Sequence, residues 1–404
     1  MKKAEVGPFS LFLIISFAGT LLFFITLIAS GSDAASWIVM ENSFDNTFTD
    51  HFRHIAFASD MKHFYFNTND ATFPPFAYLI YHVLWRMNPY TYGVSDWKIA
   101  RDTTYNIVIF TALCLIVVLL YRYAADRIMT GYDTKQRTLF CLATILSAPV
   151  LAGAIERGNI SLFTAILVMF ALYLKDRSSA ASREAALILI AMAAGIKLYP
   201  AIIGVIYLRE KRFKEAIRLV IYGLIIFLVP FAFCGGWAAL IRYLNILLFF
   251  EGQSYRSWTN IRNFLLCISD LCGVYDKAAY FVKYFKIAEN VFLILCVIGV
   301  FRARRKWEAV LFSCLAMALY VPYSYRYTAV YTLIPLLFFF KEILDEKKTL
   351  WQDNVTAVLF ALTFTIPVWG MISPLPADFW IFSPIYVLAV FSFVRIFRRS
   401  TPDA

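Results

Sequence analysis

Long apolar runs, separated by short polar or charged connections, dominate the chain. Uncharged runs that approach the roughly 20 residues of a bilayer-spanning helix cover residues 8–32, 103–121, 138–155, 158–174, 219–241, 309–325, 327–340, 354–377 and 379–394. Residues 290–301 add another span if 278–285 extend them, with Lys283, Lys286 and Glu289 snorkelling or facing protein. The pattern predicts an all-α polytopic membrane protein with about ten crossings, plus an ambiguous stretch at 185–208.

Composition agrees with the pattern. Of 404 residues, 61% are hydrophobic, 18% aromatic and only 16% charged, against about 25% charged in soluble domains. A soluble domain and a disordered chain are both excluded. The first run is too long for a signal h-region, so no cleavable leader is expected. Well over half of the 38 lysines and arginines fall in seven short connections: 1–7, 124–137, 175–184, 209–218, 302–308, 341–353 and 395–404. By the positive-inside rule these are cytoplasmic, and so is the N-terminus. The net charge of +11 is then a topology signal and calls for no nucleic-acid partner.

One inconsistency is informative. Segments 175–184 and 209–218 both read as inside, yet 185–208 gives only about 36 Å of helix, enough for one crossing. The favoured resolution is a hairpin of two short helices turning at Gly195-Ile196-Lys197-Leu198-Tyr199-Pro200, which places Lys197 within the membrane facing a cavity. A single span with one basic loop outside is the alternative.

Residues 31–103 form a large first outer loop. It holds all four histidines, His51, His54, His63 and His82, and eight acidic residues. Within it Phe48, Phe52 and Ile55 share one helical face, while Asp50, Arg53, His54 and Phe57 share another. This predicts an amphipathic helix at the membrane surface, with its carboxylate side toward a cleft. A histidine pair three residues apart can bind zinc or manganese, but on such a helix it more commonly serves as interfacial polar surface. No metal or other cofactor is expected. Farther on, Phe73-Pro74-Pro75 marks the start of a short apolar helix ending near Trp85-Arg86. The seven cysteines show no metal spacing and predict no disulfide framework.

Thr49-Asp50-His51-Phe52 followed by Phe73-Pro74-Pro75 resembles glycosyltransferase family 87, of the GT-C superfamily of polyprenyl-phosphate-sugar-dependent enzymes, which includes bacterial α-mannosyltransferases. Glu156-Arg157-Gly158-Asn159-Ile160-Ser161 resembles that family's Gly-Gln/Asn-x-Asn-like turn. Ala194-Gly195-Ile196-Lys197-Leu198-Tyr199-Pro200 resembles its Gly-x-x-x-Lys-x-x-Pro hairpin. The likeness covers roughly the first 230 residues well. It implies a single GT-C-type transmembrane domain over 1–404 with about 10–12 membrane helices, and a catalytic aspartate at Asp50. Phe73 stands where Tyr is commoner, and His51-Phe52-Arg53 departs from the family's continuation; both bear on the sugar and the acceptor.

The implied reaction moves a mannose-like sugar from a polyprenyl-phosphate donor to a hydroxyl of a lipid or glycan acceptor, with inversion. Such chemistry needs one carboxylate as general base and cations for the leaving phosphate. Asp50 is the candidate base, with Arg53 or His54 able to orient it. Arg157, Asn159, Lys197 and Arg326 are the further substrate-binding candidates, since charge at membrane depth is costly and commonly functional. The polar, aromatic segment 251–260 suits sugar binding, or is an ordinary interfacial loop. The expected setting is the inner or plasma membrane, with the site on the extracytoplasmic face. A transporter or flippase of lipid-linked sugars is the rival reading, though only one broken hairpin and no internal repeat stand out.

Overall fold

The computed structural model describes residues 7–39, 44–87, 97–249, 259–274, 282–320, 325–346, 350–373 and 375–398. Most of the 251–260 segment lies outside them. The described residues form helices of several kinds and no strand. Among them six helices are long and apolar enough to cross a membrane: Pro8–Ser30, Thr104–Ile128, Phe213–Phe233, Tyr284–Arg302, Arg326–Glu346 and Ala377–Arg398. The pair Thr134–Ile145 and Ala148–Ile155, bent by 51°, makes a seventh if it is one span. Shorter apolar helices occupy Ser161–Leu174, Tyr199–Arg209 and Gly236–Leu248. Outward apolar side chains such as Ile14, Leu21, Ile28, Leu115, Leu119, Val220 and Leu224 are more than half exposed, as a lipid-facing surface requires. The chain is an all-α polytopic membrane protein.

Three of the expected uninterrupted runs are broken, among them 219–241, which is interrupted by the turn Cys234-Gly235 between Phe213–Phe233 and Gly236–Phe249. Run 138–155 bends where Pro149 starts a second helical segment, and run 354–377 leaves the helix after Thr363, ahead of Pro367. Proline cannot supply the N–H that would continue the ladder, and it disfavours helical backbone in the residue before it.

The chain divides into two compact units, residues 1–45, 121–156 and 254–404 forming the first and 46–120 with 157–253 the second. In the first, helix Pro8–Ser30 packs on Trp351–Thr363. Gly19 permits this approach, because a Cβ there would lie 2.4 Å from Thr365 Cγ2. One end of the unit is fastened by a buried ion network. Asp353 receives Arg305 at 2.7 Å and Arg395 at 3.2 Å and caps the Leu350 N–H at 3.0 Å. Glu308 receives Arg395 at 3.2 Å. These residues come from segments 302–308, 341–353 and 395–404, three of those assigned to the same membrane side from sequence.

The second unit resolves the 185–208 ambiguity. Helix Ala180–Ile196 ends at Lys197, whose backbone is extended (φ −144°, ψ 132°), and helical chain resumes at Tyr199 and runs to Arg209. Lys175, just before the first arm, bonds Glu210, just after the second, at 2.7 Å. Arg212 donates to the Lys175 carbonyl at 2.8 Å, and Arg218 pairs with Glu184 at 2.6 Å. Both basic segments therefore lie at one end, and the chain between them is a hairpin with Lys197 at its tip.

Candidate active site

Helix Ser161–Leu174 spans about 21 Å from this basic end to the turn that precedes it. In that turn Gly158 adopts φ +68°, and a Cβ there would meet His51 Cβ at 2.9 Å and Phe48 Cα and O at 3.2 Å. Only glycine suits both the left-handed backbone and the close approach. The approach lays the turn against helix Thr49–Phe57, whose first-turn residue is Asp50.

That helix differs from its sequence expectation. Thr49, His51, Phe52, His54, Ile55, Ala56 and Phe57 are all buried, and only Asp50 and Arg53 keep partial exposure. Aromatic neighbours enclose both sides, so this is no helix lying on a bilayer surface. Its histidines are packing groups. His51 sits among Phe52, Tyr81 and Phe110. His54 stacks on Phe73 at 4.0 Å and hydrogen-bonds through Nδ1 with the Tyr78 hydroxyl at 3.0 Å. Burial pulls the pKa of each ring down to about 3, so both are neutral at pH 7.

Asp50 is where the unit's charges converge. Arg157 Nε lies 2.9 Å from its Oδ1, and Asn159 Nδ2 donates to its Oδ2. The Asn159 carbonyl oxygen in turn accepts from Lys197 Nζ at 2.7 Å, from Ser161 Oγ at 2.6 Å and from the Ser161 N–H at 3.0 Å. Lys197 also lies over the Phe73 ring, 4.7 Å from its centroid, a cation–π contact. Burial pushes the Asp50 pKa up, but Arg157 above all, with Asn159 and Lys197, outweighs it and holds the carboxyl below its ordinary value. The side chains of Asp50 and Arg157 keep 15% and 12% of their surface exposed. The arrangement is a partly accessible carboxylate with two cations at hand, fit to take a proton and to meet an anion.

Of the sequence candidates, Asp50, His54, Arg157, Asn159 and Lys197 come together here. Arg53 turns to Asp70, with which it forms a half-exposed ion pair. Arg326 belongs to the other unit. It is 2% exposed, donating to Asp378 at 2.9 Å and to the Ile38 carbonyl at 2.9 Å. Ser161, Tyr199, Tyr78 and Tyr81 also belong to this site and were not sequence candidates. A signal existed for Ser161: Asn-x-Ser ahead of an apolar run suits an Asx turn at a helix start. Tyr199 lies in the expected turn 195–200, while Tyr78 and Tyr81 carried no signal.

The model of glycosyltransferase family 87 matches residues 71–324. No curated protein and no solved structure matches. The match takes in Arg157, Asn159 and Lys197, while Asp50, Arg53 and His54 precede it and Arg326 follows it. It spans well over half of the chain, with the turn and the hairpin tip that face Asp50 inside it. The chain belongs to glycosyltransferase family 87 and is a membrane glycosyltransferase.

Proposed function

We propose that the protein transfers a mannose-like sugar from a polyprenyl-phosphate donor to a hydroxyl of a lipid or glycan acceptor, with inversion, on the extracytoplasmic face of the inner or plasma membrane. The observation that carries this reading is the cluster itself: Asp50 held by Arg157 and, through Asn159, by Lys197. Its place adds support. The cluster lies at the opposite end of its unit from the basic segments assigned to the cytoplasmic side, and the N-terminus is taken as cytoplasmic.

In this mechanism the acceptor hydroxyl attacks the anomeric carbon and gives its proton to Asp50. The bond from that carbon to the phosphate oxygen breaks, and polyprenyl phosphate leaves as a monoester. The leaving group takes no proton from an acid, but its growing charge needs cations; Arg157 and Lys197 supply them. A carboxylate clasped by cations is a weak base. An incoming donor phosphate shares the charge of Arg157 and Lys197, and Asp50 regains proton affinity as the substrate arrives. The base is thus strongest in the loaded site.

The test is Asp50→Asn in protein reconstituted with polyprenyl-phosphate mannose and a membrane extract as acceptor source. Release of polyprenyl phosphate is expected to cease while expression and donor binding persist. Full release in this variant overturns the assignment of the base, and flipping of donor without transfer by the parent protein supports a transporter instead.

A further inference from the structure

The amide of Asn159 touches the carboxylate on one side and three donors on the other, and its orientation follows from chemistry alone. As an ammonium, Lys197 Nζ has only protons to offer, so the atom it meets at 2.7 Å is the amide oxygen. The Ser161 backbone N–H at 3.0 Å is likewise only a donor. The amide nitrogen therefore faces Asp50. Ser161 Oγ stands 2.6 Å from the same oxygen, so its single proton is given to Asn159. In the 3.4 Å contact between Ser161 Oγ and the Tyr199 hydroxyl, Tyr199 is then the donor. Every proton in the chain Tyr199–Ser161–Asn159–Asp50 points the same way.

From this we infer that Ser161 and Tyr199 are positioning residues for the transfer: with Lys197 they lock the Asn159 amide so that it presents an N–H, and never its oxygen, to Asp50. Neither touches the reacting atoms. Ser161 is fully buried and opens the helix Ser161–Leu174; Tyr199 sits two residues beyond the hairpin tip. The lock joins the turn and the hairpin to the carboxylate. Without the serine hydroxyl the amide keeps Lys197 and the residue 161 N–H as donors but loses the third; it is held less firmly, and in the fraction that turns an oxygen is set against the carboxylate. That raises the proton affinity of Asp50 and protonates the base in a range where the parent protein keeps it ionised.

The inference rests on Asp50 being the base, and the experiment separates the two. Transfer at saturating polyprenyl-phosphate mannose, where the donor phosphate shares the cations and Asp50 has regained proton affinity, is followed from pH 4 to pH 8 in reconstituted parent protein, Ser161→Ala, Tyr199→Phe and Asp50→Asn, with the folded fraction measured at each pH. The acid limb of the Ser161→Ala profile is expected to move upward by about one pH unit, with transfer near the limb falling roughly tenfold as a charged hydrogen bond is loosened. At pH 8, where the carboxylate is ionised in every form, its rate is expected to converge on the parent's. Tyr199→Phe should shift in the same direction by less. A Ser161→Ala profile that superimposes on the parent's, or a rate lowered equally at every pH, overturns the positioning role. Transfer retained by Asp50→Asn overturns the base assignment beneath it, whatever Ser161→Ala does.

Discussion

The ammonium of Lys197 reaches the carboxylate of Asp50 through the amide of Asn159, which accepts from the one at 2.7 Å and donates to the other. Residues 147 positions apart in sequence thus share one polar relay. An amide in this place passes on part of the lysine's charge while leaving Asp50 a separate, titratable group. Asn159→Asp removes that separation. The new carboxylate takes Lys197 directly, has no N–H to give, and repels Asp50. Transfer is expected to fall about a hundredfold, on the scale of losing a charged hydrogen bond and gaining a like charge. A pH–rate profile checks it, with an acid limb displaced upward further than in any neutral substitution at this site.

Arg157→Lys keeps a positive charge but loses the planar fork that lets one group hold Asp50 and face an anion. The donor KM is expected to rise roughly tenfold, with a smaller change in kcat. Steady-state kinetics in reconstituted vesicles measure the split.

Gly158→Ala tests the close approach of the turn to helix Thr49–Phe57. The position needs φ +68°, and the new methyl would sit 2.9 Å from His51 Cβ. A destabilisation of about 1–3 kcal/mol is expected from backbone strain and displacement. Because the helix carrying Asp50 is what must move, transfer should fall by more than the loss of folded protein accounts for. Thermal unfolding in detergent and specific activity, measured together, show the difference.

Arg326 and Asp378 form a buried pair in the other unit. Arg326→Met alone leaves Asp378 charged and enclosed, which costs about 3–5 kcal/mol. The double variant Arg326→Met/Asp378→Leu removes both charges and is expected to recover most of that loss. Comparison of melting temperatures in one detergent checks the recovery. Wild-type donor KM in the double variant would place Arg326 outside the donor site.

The histidines of helix Thr49–Phe57 predict an acid-labile fold. Their folded pKa values, pulled to about 3 by burial, lie below the unfolded value of 6.5. The unfolded chain therefore binds protons first. Stability is full above about pH 6.5 and declines as pH falls toward 3, by about 1.4 kcal/mol per unit for each ring. Asp50, held below its ordinary value, adds to the decline only at the acid end. His51→Phe keeps an aromatic ring among Phe52, Tyr81 and Phe110, and is expected to flatten the decline between pH 6 and pH 4. Melting temperature against pH for parent and variant measures it.

Apolar run lengths determined the membrane class, and the placement of lysine and arginine the expectation of which connections share a side, because both are local properties of the chain. The same reasoning favoured a turn back within 185–208 over a single span, and Lys175 meeting Glu210 supplies the physical closure. Short motifs were enough to bring forward Asp50, Arg157, Asn159 and Lys197 as candidates. Tertiary structure alone decided how they meet. A glycine at position 158 lets one turn press on a helix more than a hundred residues away, and neither segment carries a local trace of the other. Burial of His51 and His54, the tie of Arg53 to Asp70 and of Arg326 to Asp378, and the locking of Asn159 by Ser161 depend on which helices pack together. Hydrophobic periodicity tells which face of a helix turns inward but is silent on the partner waiting there.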